Sequence, residues 1–146
     1  MQEEMSAIER LWVDYLMPDL DALHFADGRS YDVVLDSDAP TGMRIEEAFD
    51  LEEVLAEDPD WVSRVDGQRV VSLEDGGVLW GGDGPHGSNG FCARLNADLT
   101  LVWAIFLHVS NPLRDISLSG STAVFRSTSG VSITVDIGDP LRSGAV

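Results

Sequence analysis

The chain has 146 residues, 44% of them hydrophobic, and its 26 acidic and 9 basic residues leave a formal charge of −17. That length and apolar content support one domain with its own core and exclude a chain disordered throughout. The charge excludes attraction to nucleic acid or to an anionic membrane surface and favours a basic partner.

The acids are unevenly placed. Residues 1–75 hold 21 acids and 5 arginines, a balance of −16, while residues 76–146 hold 5 acids and 4 arginines, a balance of −1. A solubilising acidic coat would cover strands and helices alike, and this one does not. Cys92 is the single cysteine. It excludes an intramolecular disulfide, and within Phe91-Cys-Ala-Arg-Leu95 it reads as a small buried hydrophobe. No apolar run reaches the roughly 20 residues of a membrane span. Residues 1–20 carry Glu3, Glu4, Glu9, Asp14 and Asp19 where a secretion signal is basic and then apolar. The expected location is the cytoplasm.

In chain order, Ser6 and Glu9 have the spacing of a capping box. Met5, Ile8, Leu11, Trp12, Tyr15 and Leu16 recur at helical intervals, so a first helix is expected over residues 7–17, ended by Pro18. Apolar runs at 20–25 and 31–35 flank Asp27-Gly28, a hairpin signal, and Tyr31, Val33 and Leu35 alternate with Asp32, Val34 and Asp36 to leave one wet face. His24 reads as a half-buried strand residue, since no second His or Cys stands at ligand spacing.

Residues 37–42 read as a loop. Beyond it Glu46, Glu47, Asp50, Glu52, Glu53, Glu57, Asp58 and Asp60 place eight carboxylates within fifteen residues. Asp50 can cap a short helix whose apolar stripe is Leu51, Val54 and Leu55, ended by Pro59. A solvated acidic helix accounts for part of this run. A recognition surface for a cationic partner accounts for its density, with Trp61 either an apolar anchor beside it or a residue closing the core. Residues 62–65 and 69–73 surround Asp66-Gly67, a second hairpin signal, and residues 74–77 turn the chain into a region of little charge.

Residues 78–137 read as one antiparallel meander centred on Leu99-Thr-Leu-Val-Trp-Ala-Ile-Phe-Leu107. There Leu99, Leu101, Trp103, Ile105 and Leu107 share one strand face, with Val102 and Phe106 on the other. Strands at 113–119, 122–127 and 131–137 follow, separated by Gly120 and Ser129-Gly130, and residues 138–146 read as a frayed tail. Gly81, Gly82, Gly84, Gly87 and Gly90 make a loop that lacks the Lys-Ser/Thr ending of a phosphate loop and runs into a strand. A small hydrolase or ligand-binding enzyme would draw on Ser88, His86 and Asp83 there, and a metal on Asp83, His86 and His108. None of these has the spacing of a known triad, nucleophile elbow or ligand set. No cofactor or metal is expected.

The string Gly84-Pro-His-Gly-Ser-Asn-Gly-Phe91, followed by Leu101-Val-Trp103 and Ser110-Asn-Pro112, resembles a pattern of small actinobacterial proteins, some of them similar to immunity proteins of bacterial toxin systems. Such families are mostly small, cytoplasmic, acidic α+β proteins. They block a toxin domain by binding it, so the resemblance, over residues 84–112, implies an inhibitor without chemistry of its own, and the acidic charge makes a basic toxin domain the expected target.

The reading is therefore one α+β domain over residues 1–146. An N-terminal helix and a short acidic helix pack on a mostly antiparallel sheet of about six to eight strands. The acidic surface would bind one basic protein, with no nucleic acid and no membrane. A nucleic-acid mimic is the other use of the same carboxylates.

Overall fold

The computed structural model describes residues 5–144. Its first helix, α1 (Ala7–Trp12), opens with the expected box. The Ser6 hydroxyl accepts from the Glu9 amide at 3.3 Å, and the Glu9 carboxylate accepts from the Ser6 amide at 3.0 Å. The helix is shorter than its periodicity predicts. Tyr15 turns the chain at φ +56°, and Leu16–Pro18 becomes a strand, β1, paired antiparallel with β5 (Val62–Arg64). Tertiary pairing has overridden a local signal that Tyr15 and Leu16 fitted equally well.

Between these two lie β2 (Ala22–Phe25), β3 (Ser30–Leu35), β4 (Met43–Phe49) and the second helix, α2 (Leu51–Glu57). After them come β6 (Asp66–Ser72), β7 (Val78–Asp83), β8 (Gly90–Leu95) and β9 (Leu101–Leu107). Seven of these strands form one antiparallel sheet in the order β4-β3-β2-β9-β8-β7-β6. The Asp27-Gly28 hairpin forms as expected, with Gly28 at φ +103°. Asp66-Gly67 is not a turn. Both residues lie within β6, opposite Asp83 and Gly82. Glycine is required there because a Cβ on Gly67 would lie 2.7 Å from the Trp80 ring.

The meander does not continue in one sheet. Asn111 adopts φ +67° and Pro112 has no amide to donate, so the chain leaves β9 and folds back across the sheet. There β10 (Leu113–Ser119), β11 (Thr122–Ser127) and β12 (Ser132–Asp136) form a second, three-stranded sheet. Its inner residues Leu113, Ile116, Ala123, Phe125, Ile133 and Val135 pack on Leu79, Cys92, Trp103, Ile105 and Leu107. The Trp103 indole, buried among them, donates to the Ile137 carbonyl at 3.0 Å.

The opposite face of the large sheet is covered by the helices and by β1 and β5. Ile8, Trp12, Met17, Leu51 and Val65 meet Phe91, Ala93, Ala104 and Phe106. The molecule is thus three layers deep, and β9, at the middle of the large sheet, is buried on both sides. Two expectations fail at the ends of its strands. Leu99 is 42% exposed and lies in a left-handed turn at φ +69°, outside β9, and Leu101 packs with the helix-side residues. The segment 138–144 is not frayed. It forms a 3-10 helix, Pro140–Gly144, with Pro140 buried and Leu141 against the core. Residues 145 and 146 lie outside the described residues. Among the described residues no helix is long and apolar enough to cross a membrane.

Candidate functional site

All eight carboxylates of the acidic run are exposed, and so is Trp61. β4 is an edge of the large sheet, and its register to β3 runs Ala48 with Tyr31 and then Ile45 with Val33. Two residues, Glu46 and Glu47, therefore oppose Asp32 alone. A bulge bearing three carboxylates deters pairing of that edge with another strand. Glu46 accepts from Arg44 at 3.0 Å, and Arg44 also reaches Asp36 at 3.0 Å.

Asp50 begins α2 as expected, its Oδ1 accepting from the amides of Glu52 at 2.9 Å and Glu53 at 3.4 Å. Glu52 also pairs with Arg10 of α1. The far end of α2 breaks the pattern. Glu57 and Asp58 sit at its C-terminus, where the helix dipole disfavours negative charge, and its last turn holds no basic residue. Among the described residues Glu47, Glu53, Glu57, Asp58 and Asp60 form no ion pair.

Trp61 does not close the core. It is 44% exposed and borders a surface hollow of about 540 Å³ lined by Glu57, Asp58, Pro59, Asp60 and Trp61 itself. Its backbone is held from both sides. The Trp61 amide donates to the Asp58 carbonyl at 3.0 Å, and its carbonyl accepts from the Asp19 amide at 3.0 Å. Asp19 in turn meets His108 Nε2 at 2.7 Å, and Asp21 Oδ1 accepts from the His108 amide at 2.7 Å while lying 3.1 Å from Nδ1. This clamp ties the Trp61 loop to the end of β9. Nothing in the sequence announced it, because its partners lie 87 and 89 residues apart.

The expected glycine-rich loop is shorter than its composition suggests: Gly81 and Gly82 lie in β7 and Gly90 begins β8, and the glycines have a packing explanation. A Cβ on Gly90 would lie 2.0 Å from Ser110 Oγ, and one on Gly84 2.7 Å from Asn89 Oδ1. Asn89 is buried and spans the loop, accepting from the His86 amide at 3.1 Å and donating to the His108 carbonyl at 3.3 Å. His86 and Ser88 are exposed, and among the described residues no side-chain hydrogen bond joins them to each other or to Asp83. His108 is engaged with Asp19 and Asp21, and no group of three His, Cys, Asp or Glu among the described residues is placed to hold a metal ion.

Two buried groups complete the account. His24 is fully buried, not half-buried, with Nδ1 2.8 Å from Ser30 Oγ and Nε2 without a partner among the described residues. Burial pushes its pKa down from 6.5 to about 3. Cys92 is buried as expected, and burial raises its thiol pKa well above the usual range. No protein-family model, no curated protein and no solved structure matches this chain.

Proposed function

We propose that this chain is a non-enzymatic binding protein of the immunity or antitoxin kind, which docks its acidic surface on one basic toxin domain. The observation that carries the reading is the group of carboxylates without ion pairs around exposed Trp61. Two of them, Glu57 and Asp58, end α2, where they work against the helix dipole, and Asp60 follows in the same loop. Local rules broken without structural compensation are expected where binding needs them.

The mechanism follows from charge and shape. Unpaired carboxylates raise the rate of encounter with a cationic surface and occupy the place of the anionic substrate such a surface would bind. Trp61 beside the hollow supplies the apolar anchor that charge alone lacks. Glu46, Glu47, Asp50, Glu52 and Glu53 extend the same negative field along β4 and α2. Binding would take place in the cytoplasm.

The test is capture from extracts of the native organism, with elution at stepped salt, using the wild-type chain and a variant carrying Glu57→Lys, Asp58→Lys and Asp60→Lys. One basic protein retained by the wild type, released as salt rises and lost from the variant, is the expected result. Equal retention by both would remove the proposal. Retention of many unrelated DNA-binding proteins, displaced by added DNA, would instead assign the surface to nucleic-acid mimicry.

A further inference from the structure

The large sheet has two edges, and they differ. The β4 edge is blunted by its bulge and by Glu46, Glu47 and Asp32. At the other end β6 is seven residues long, and among the described residues no backbone hydrogen bond joins its outer side to another segment. Its own bulge ends before Arg69, so residues 69–72 stay paired in register with 78–81. In the small sheet, by contrast, the outer side of β12 is partly satisfied by a bond from the Thr134 amide to the Thr41 carbonyl at 2.9 Å.

The two faces along this open edge have different chemistry. Val70 opposes Trp80 on the helix side and is 52% exposed. Arg69 alternates with Val70 and so projects on the other side, opposite Gly81, whose Cα packs against the Leu113 carbonyl of the small sheet. Arg114 follows Leu113 and donates to Gln68 of β6. Two guanidinium groups thus stand on one side of the edge, and among the described residues neither forms an ion pair in a chain of charge −17.

We propose that the outer edge of β6 accepts one extended segment of a partner protein as an eighth strand, with apolar residues alternating with carboxylates. Its backbone would satisfy the open edge, its apolar residues would cover Val70, and a carboxylate would lie near Arg69 and Arg114. The near acids are Asp66 at the start of β6 and Glu74 and Asp75 just beyond its end, and residues 69–72 between them carry none; the acidic β4 edge is farther. Six strand spacings of about 4.8 Å put it about 29 Å away, several times the screening length of about 8 Å at physiological salt. The surface is separate from that of the proposed toxin-binding face, so the two readings stand or fall independently.

The experiment is an amide-resolved NMR titration of the whole chain with two synthetic peptides, Val-Glu-Val-Glu-Val-Glu-Val and its counterpart with Lys for Glu, both with blocked ends. The glutamate peptide is expected to shift and protect the amides of residues 69–72 in a saturable way and to bind about tenfold more tightly than the lysine peptide. The double variant Arg69→Glu, Arg114→Glu, confirmed as folded by the same spectra, is expected to reverse that preference. Equal response to the two peptides, saturation at other residues, or no saturation at millimolar peptide would overturn the proposal. So would a concentration-dependent dimer that protects residues 69–72 without peptide, which would assign the edge to a second copy.

Discussion

His24 is a polar group placed where only its neutral form is tolerated. Ser30 satisfies one ring nitrogen, and the strands and Phe49 around it leave no room for a charged ring to be hydrated. Its pKa, lowered from 6.5 to about 3, has a consequence for stability with a definite sign. Below pH 6.5 the unfolded chain takes up a proton that the folded chain refuses. Stability is therefore whole above 6.5 and is lost as pH falls toward 3, by about 1.4 kcal/mol per pH unit. Urea unfolding at pH 7.5 and pH 5 should show the wild type losing about 2 kcal/mol more than His24→Gln. Parallel losses in the two proteins would show that His24 already exchanges protons in the folded state. The comparison with a variant is needed because acid also relieves repulsion among the carboxylates.

Single residues also mark where sequence reading stopped. The alternation through Leu101 to Leu107 placed Trp103, Ile105 and Leu107 on one face, and the packed core has them there. The same alternation included Leu99, which instead turns at φ +69° so that its carbonyl accepts the Trp12 indole at 3.1 Å. That partner is 87 residues distant, and no local pattern encodes it. Trp61 is the counterpart at the candidate site. Its acidic neighbours were legible from composition, but the bond from Asp19 and the clamp around His108 that hold its loop join residues far apart in the sequence.

At the scale of elements, α2 separates two uses of negative charge. Asp50 caps the helix, and Glu52 and Glu53 sit at the end where the dipole favours them. Replacing Asp50 by Ala should cost about 1 kcal/mol in chemical unfolding, whereas Asp50→Asn, which keeps a capping oxygen, should be nearly neutral. An equal loss in both would mean that the charge and not the cap is at work. Glu57 and Asp58 occupy the other end. The double variant Glu57→Gln, Asp58→Asn should raise stability by about 0.5 to 1 kcal/mol while slowing association with the proposed basic partner. Stability and binding moving together would contradict the division.

The same scale explains why the two halves of the meander parted. The alternation in residues 113–137 was correct strand by strand, and β10, β11 and β12 pair as neighbours. Whether a fourth strand joins the sheet below it or folds over that sheet is decided by the connection. Here Asn111 at positive φ and Pro112 divert the chain, and the exposed apolar face of the large sheet receives it. Likewise, Asp66-Gly67 had the composition of a hairpin turn, but β5 found β1 as its partner and left both residues to β6.

For the whole molecule, the three layers set what each surface can do. The small sheet and the helical layer bury both faces of the large one at its centre, so what remains available is its edge strands, the outer sides of the covering layers and the loops at the strand ends. Charge then distinguishes these surfaces. Eight of the 21 acids of residues 1–75 lie along β4, α2 and the Trp61 loop, while the sheet that closes the opposite face carries two acids and two arginines. A field so one-sided acts on how fast a partner arrives more than on how long it stays. The decisive measurement is therefore the association rate of the captured basic protein at low and at physiological salt, for the wild type and for the Glu57→Lys, Asp58→Lys, Asp60→Lys variant. The account predicts a wild-type rate that falls about tenfold or more as salt rises and a variant rate that is slow and nearly independent of salt. Equal rates for the two proteins with the same salt dependence would contradict it.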